Sequence, residues 1–157
     1  MVWGSEVTLL IEESRGRATC ELVGPSLVLR VPADSTPQSR ARLVEDWLRK
    51  ELRTRLQDLV PLCEERVGKH ASSITLRRMK TRWGSCTTRT ASIRLNTALA
   101  ECPPACLEMV LVHELCHLWE ANHGRRFHML MDLHCPDWRV TQRWLNEHQP
   151  RHTSAVS

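Results

Sequence analysis

Apolar positions recur in two rhythms along this chain. Between residues 7 and 31 they gather in three short runs, Val7-Thr8-Leu9-Leu10-Ile11, Ala18-Thr19-Cys20-Glu21-Leu22-Val23 and Leu27-Val28-Leu29-Arg30-Val31, separated by the turn signals Ser14-Arg15-Gly16 and Gly24-Pro25. Short β-rich runs bounded this way predict strands, and their close succession predicts an antiparallel meander. From Ser35-Thr36-Pro37 the rhythm lengthens. Leu43, Val44, Trp47, Leu48, Leu52, Leu56 and Leu59 keep one helical face apolar while Arg and Glu fill the other. Pro61 has no amide proton to donate, so it should kink or restart this helix before Gly68 ends it.

Residues 74–80 and 91–95 read as two more strands, joined as a hairpin by residues 81–90, where Gly84 permits a tight bend beside Trp83. A helical rhythm then returns. Pro103-Pro104 gives a start signal, and Leu107, Val110, Leu111, Leu115 and Leu118 form a core-facing stripe. Residues 125–133 and a segment opened by Pro136-Asp137-Trp138 predict two further helices packed behind this one, and the tail 150–157 should fray. The pattern predicts an α+β fold in a single domain over 1–157. Its parts are N-terminal strands at 1–33, a long helical segment at 35–69, and a hairpin plus helices at 74–149.

The internal helix carries chemistry. His113 and His117 lie four residues apart, hence one turn apart on one face, with their imidazoles converging. Two imidazoles, a third protein ligand and one open position make a catalytic zinc site rather than a closed structural one. Glu114 flanks the first histidine, where its carboxylate can reach a metal-activated water without joining the coordination sphere, which makes it the natural general base. Asn122 and Gly124 readily end a helix, so the chain should turn there and swing His123 back as the third ligand. Rival third ligands are Glu120, if the helix ends early, and His128, Asp132, His134 and Asp137 downstream.

Composition narrows the class. A chain of 157 residues that is 41% hydrophobic and 25% charged has enough apolar surface for one packed core, which excludes a disordered chain. No window approaches about 20 apolar residues, and the start Met1-Val2-Trp3-Gly4-Ser5-Glu6 lacks a basic stretch leading into an apolar run, so neither secretion nor a membrane span is expected. Seven cysteines, an odd number without a regular framework, suit a reducing, cytoplasmic setting. Cys102 and Cys106 could pair on a metal with Cys116 or Cys135, but their spacing is not that of a zinc knuckle and buried thiols are the simpler expectation. A net charge of +4 permits nucleic acid as a partner without indicating it.

Taken together, Arg82-Trp83-Gly84-Ser85-Cys86, Ile93-Arg94-Leu95-Asn96, His113-Glu114-Leu115-Cys116-His117, Asn122-His123 and Cys135-Pro136-Asp137-Trp138 resemble the YgjP-like metallopeptidase family, with SprT-like proteins as nearer cousins than other zincins. The resemblance is carried by motifs from about residue 74 to 148. It implies a zincin-like helical core, zinc on His113, His117 and His123, and catalysis by Glu114. It also implies that the Trp-Gly-Ser-Cys segment and Leu95-Asn96 border the site, so Trp83, Ser85, Asn96 and His128 are taken as substrate contacts. Two departures stand out. His128 follows Phe127 where the family is expected to carry a Trp more often. Glu120 replaces the turn glycine of metzincins, and no Met-turn is evident.

The expected function is zinc-dependent hydrolysis of peptide bonds, with a peptide or protein substrate laid along an exposed strand edge. The chain has no Tyr to steady an oxyanion, which leaves His128, His134 or a nearby Arg for that task. Two other functions share the metal. One is hydrolysis of nucleotide phosphoanhydrides, with Arg77, Arg78, Lys80, Arg82, Arg125 and Arg126 on the phosphates. The other is a DNA-associated SprT-like protease, for which no zinc finger or dense basic tract is evident.

Overall fold

The structure, a computed structural model, describes residues 1–148; the predicted tail lies outside the described residues. Strands β1 (Thr8–Glu13), β2 (Thr19–Val23) and β3 (Ser26–Val31) form one sheet, followed by the long helix α1 (Pro37–Val67). Strands β4 (Ser73–Arg77), β5 (Gly84–Thr87) and β6 (Ser92–Asn96) form a second sheet. A 3₁₀ turn (Thr97–Glu101) then leads into α2 (Pro104–Cys116), α3 (Arg125–His134) and α4 (Trp138–Glu147). The fold is α+β, with both sheets mixed rather than antiparallel. Among the described residues no helix is long and apolar enough to cross a membrane.

Both sheets share one topology, and it corrects two sequence expectations. In the first, β1 pairs parallel with β3 while β2 pairs antiparallel with it, giving the order β1-β3-β2 in place of a meander. Two chain reversals return β3 to the direction of β1, and β3, whose Leu27, Leu29 and Val31 are buried, takes the centre. In the second, β4 and β6 run parallel and so cannot form a hairpin. The segment expected to be their loop contains β5, which pairs antiparallel with β6 and gives the order β4-β6-β5. Ile93 and Leu95 of β6 are buried, and β5 is left as an edge strand.

Helix α1 starts where predicted, with a reciprocal cap: Ser39 N donates to Thr36 Oγ1 at 3.1 Å and Thr36 N to Ser39 Oγ at 3.0 Å. It neither ends nor restarts at Pro61, and it stops at Gly68, whose φ of 73° is the left-handed cap conformation. Its buried face, Leu48, Leu52, Leu56, Cys63 and Val67, packs on α2. Arg66 and Glu108 tie the two helices with a 2.7 Å ion pair. Helix α2 is apolar nearly all round, with Leu107, Val110, Leu111, Val112 and Leu115 buried, and a helix of that kind belongs inside a protein. Elements on several sides enclose it: α1, the second sheet, α3 and α4.

Candidate metal centre

Helix α2 ends sooner than expected, at Cys116, so His113 sits in its last turn and His117 is its C-cap. A short turn and the N-terminus of α3 then carry the chain past His123. The turn is pinned by Trp119, whose Nε1 donates to the Val67 carbonyl at 2.9 Å and so closes the end of α1 as well. His123 Nε2 stands 3.1 Å from His113 Nε2 and 2.9 Å from His117 Nε2, and the three ligand atoms all lie within 4.8 Å of one another.

Hydrogen bonding alone does not account for that cluster. A ring nitrogen carries either one in-plane hydrogen or one lone pair, so His123 Nε2 can satisfy only one of its two contacts. A single cation between the three satisfies all. Three neutral imidazole nitrogens are a donor set that would suit a transition metal such as zinc. His117 Nδ1 lies 3.1 Å from the Glu120 carbonyl oxygen. The Nδ1 hydrogen donates there, leaving the Nε2 lone pair for the centre. Burial, then the neighbouring His117, His123 and His128, hold the His113 imidazole down at about 3, and burial also lowers His117, so both rings are in the neutral form that a metal requires. Among the described residues this is the one cluster of histidine, cysteine or acidic side chains able to hold an ion. All seven cysteines are free thiols, and of the rival third ligands only the backbone of Glu120 takes part.

Beneath the imidazoles lies Phe127, 1% exposed, its ring 4.6 Å from that of His117, 4.8 Å from His113 and 4.9 Å from His123. This floor was not picked out from the sequence. The available signal was the chain's single Phe, four residues after His123 on a predicted helix.

Glu114, next to His113 in the chain, is 5% exposed, and burial pushes its carboxyl up to about 8 against the opposing charge of Arg82. It faces β5 at Gly84. The sequence suggested backbone freedom as the reason for that glycine, but its φ is not in the left-handed region; what the position requires is space, since a β-carbon there would stand 2.7 Å from Glu114 Oε1.

Two cavities of about 370 Å³ each flank the histidines and meet at Arg82, Gly84, His113, Glu114 and His123. One arm has apolar walls from Trp83, Met109, Val110 and Leu145, so α4 forms part of the cleft rather than only backing α2. The other is lined by Ser85, Cys86, Thr88 and His117. Trp83 and Ser85 therefore lie in the cleft. Asn96 and His128 line neither cavity. Asn96 is fully buried: its Nδ2 donates to the carbonyls of Met79 (2.8 Å) and Arg82 (2.7 Å), and its Oδ1 accepts from Ala98 N (3.0 Å). It acts on the cleft by holding the backbone that enters β5. His128 stacks on Trp138 at 5.5 Å.

No curated protein matches the chain. Among solved structures it is similar to the metallopeptidase zymogen of Pyrococcus abyssi abylysin, with 18% identity over 59% of this chain and 93% of that one and a TM-score of 0.52, a likeness of fold. It is also similar to the metallopeptidase zymogen of Methanocaldococcus jannaschii jannalysin, with 22% identity, 57% and 94% coverage, and a TM-score of 0.47. Residues 1–148, the whole of the described chain with its histidine cluster, match the YgjP-like metallopeptidase domain, and the protein belongs to that family.

Proposed function

We propose that this protein is a single-domain zinc peptidase in which His113, His117 and His123 hold one ion through Nε2 and Glu114 is the general base. The observation that carries the reading is the convergence of three imidazole nitrogens within 4.8 Å beside a buried carboxylate. Zinc, when bound, supplies a Lewis acid that lowers the pKa of water toward about 7 and polarises a carbonyl. Glu114 takes the proton of the attacking water as the C–O bond forms, holds it on its carboxylate, and passes it to the amine as the C–N bond breaks. An extended peptide pairs with the free edge of β5, whose Gly84, Ser85 and Cys86 lie in the cleft wall. The apolar arm beyond Glu114 takes a hydrophobic side chain next to the scissile bond.

The test is metal analysis of the purified protein together with cleavage of unfolded proteins and of nucleoside triphosphates. One zinc per chain, cleavage of protein only, and a Glu114→Gln variant that keeps zinc but loses turnover are expected. A protein that binds no transition metal, or a Glu114→Gln variant that still cleaves, would overturn the reading.

A further inference from the structure

We infer that Arg82 is the catalytic cation that meets the negative charge developing on the carbonyl oxygen of the substrate. The inference deepens the peptidase reading and rests on it. Arg82 lines both cavities, so it stands at their junction with His113, Glu114 and His123, where a bond undergoing cleavage must lie if a peptide runs from one arm to the other. Among the described residues it is the only lysine or arginine lining either cavity. Its side chain is exposed, and its guanidinium makes no hydrogen bond or ion pair within the described structure. Arg78, four residues earlier, is by contrast engaged with Glu101 at 2.9 Å. The donors of Arg82 therefore remain for a ligand.

The other candidates for this role lie elsewhere. His128 is stacked on Trp138, and His134, at the far end of α3, lies in the field of Arg66 and lines neither cavity. The chain has no Tyr.

The base of Arg82 is held firmly. Its carbonyl accepts from Asn96 Nδ2 at 2.7 Å, and the adjoining Trp83 carbonyl accepts from Asn96 N at 2.9 Å, so β6 fixes the backbone from which the side chain extends. A donor anchored this way aids catalysis only if it binds the transition state better than the ground state. In the step itself, water oxygen bonds to the carbonyl carbon, the C=O π pair moves onto oxygen opposite Arg82, and the water proton goes to Glu114. On collapse the C–N bond breaks and that proton leaves with the amine.

The experiment compares wild type, Arg82→Lys and Arg82→Ala as zinc-loaded full chains. It measures kcat and KM on an unfolded protein, and affinity for a phosphinate peptide, whose tetrahedral anion mimics the transition state, against affinity for the parent peptide. Removal of such a donor costs roughly 10²- to 10³-fold in kcat. Arg82→Ala should show that loss with little change in KM, lose phosphinate affinity in parallel, and keep its affinity for the parent peptide; Arg82→Lys should fall between. If Arg82→Ala weakens peptide and phosphinate alike, or neither, the inference falls while the peptidase reading stands. If wild type neither cleaves protein nor binds the phosphinate, the peptidase reading itself falls and takes Arg82 with it.

Discussion

A β-carbon on Gly84 would stand 2.7 Å from Glu114 Oε1 and 2.8 Å from Val110 Cγ1, so the missing side chain of Gly84 sets how closely β5 approaches the buried carboxylate. No unbonded carbon and oxygen sit that close, and one side must move. Gly84 belongs to a strand locked to β6, whereas Glu114 lies on an internal helix.

Gly84→Ala is therefore expected to shift the Glu114 carboxylate by a few tenths of an ångström or more. Displacement of a reacting group by about 1 Å can cost roughly 100-fold in rate. Turnover should fall by an order of magnitude or more while zinc content stays at the wild-type level, since Glu114 is not one of the three clustered ligands. Parallel metal analysis and kinetics check this, and undiminished kcat in Gly84→Ala would contradict it.

The Phe127 floor touches all three imidazole rings at 4.6–4.9 Å. Phe127→Leu keeps an apolar side chain but removes the flat surface that fixes the ring planes. Residues supporting metal ligands typically contribute 10- to 100-fold in affinity. Zinc affinity should drop by about 10-fold, measured by competition with a chelator, at a stability cost of about 1–2 kcal/mol. Unchanged zinc affinity would show the floor to be packing alone.

Asn96 satisfies four backbone groups from one buried side chain. Asn96→Ala leaves the carbonyls of Met79 and Arg82 and the amides of Met79 and Ala98 without that partner, and each unsatisfied buried group costs about 1–3 kcal/mol. A loss of about 3 kcal/mol in urea unfolding is expected, with weakened peptide cleavage because the entry to β5 loosens. A variant as stable as wild type would mean that water replaces the amide.

The metal-free protein should be most stable near pH 6.5. His113 titrates near 6.5 unfolded and at about 3 folded, so between these values the unfolded chain binds more protons and stability drops as pH falls; His117, also lowered by burial, acts in the same direction. Glu114 has its ordinary value near 4.5 unfolded and about 8 folded, so the folded state holds the extra proton and stability drops as pH rises through that window. Between about 4.5 and 6.5 His113 offsets the carboxyl and the lowered His117 tips the balance toward loss of stability as pH falls; above 6.5 the carboxyl acts alone. Melting temperatures of chelator-treated protein from pH 4 to 9 would show the maximum, and a monotonic profile would contradict it.

The sequence by itself determined the helices and pointed to the three histidines that cluster. Periodic apolar positions, the Thr36 cap and Gly68 placed α1, and the spacing of His113, Glu114 and His117 placed their side chains on one helix end, because helical geometry is local. Strand partnership is not local. The runs that became β1, β2 and β3 were legible, yet whether β1 pairs with β2 or β3 depends on which strand is buried in the middle, and that is decided by packing against α1. For the same reason β5 was hidden inside an apparent loop. Only the tertiary structure brought His123 within 2.9 Å of His117, set Phe127 beneath the rings, and placed Gly84 against Glu114, because each of those contacts joins elements whose separation in space no sequence spacing specifies.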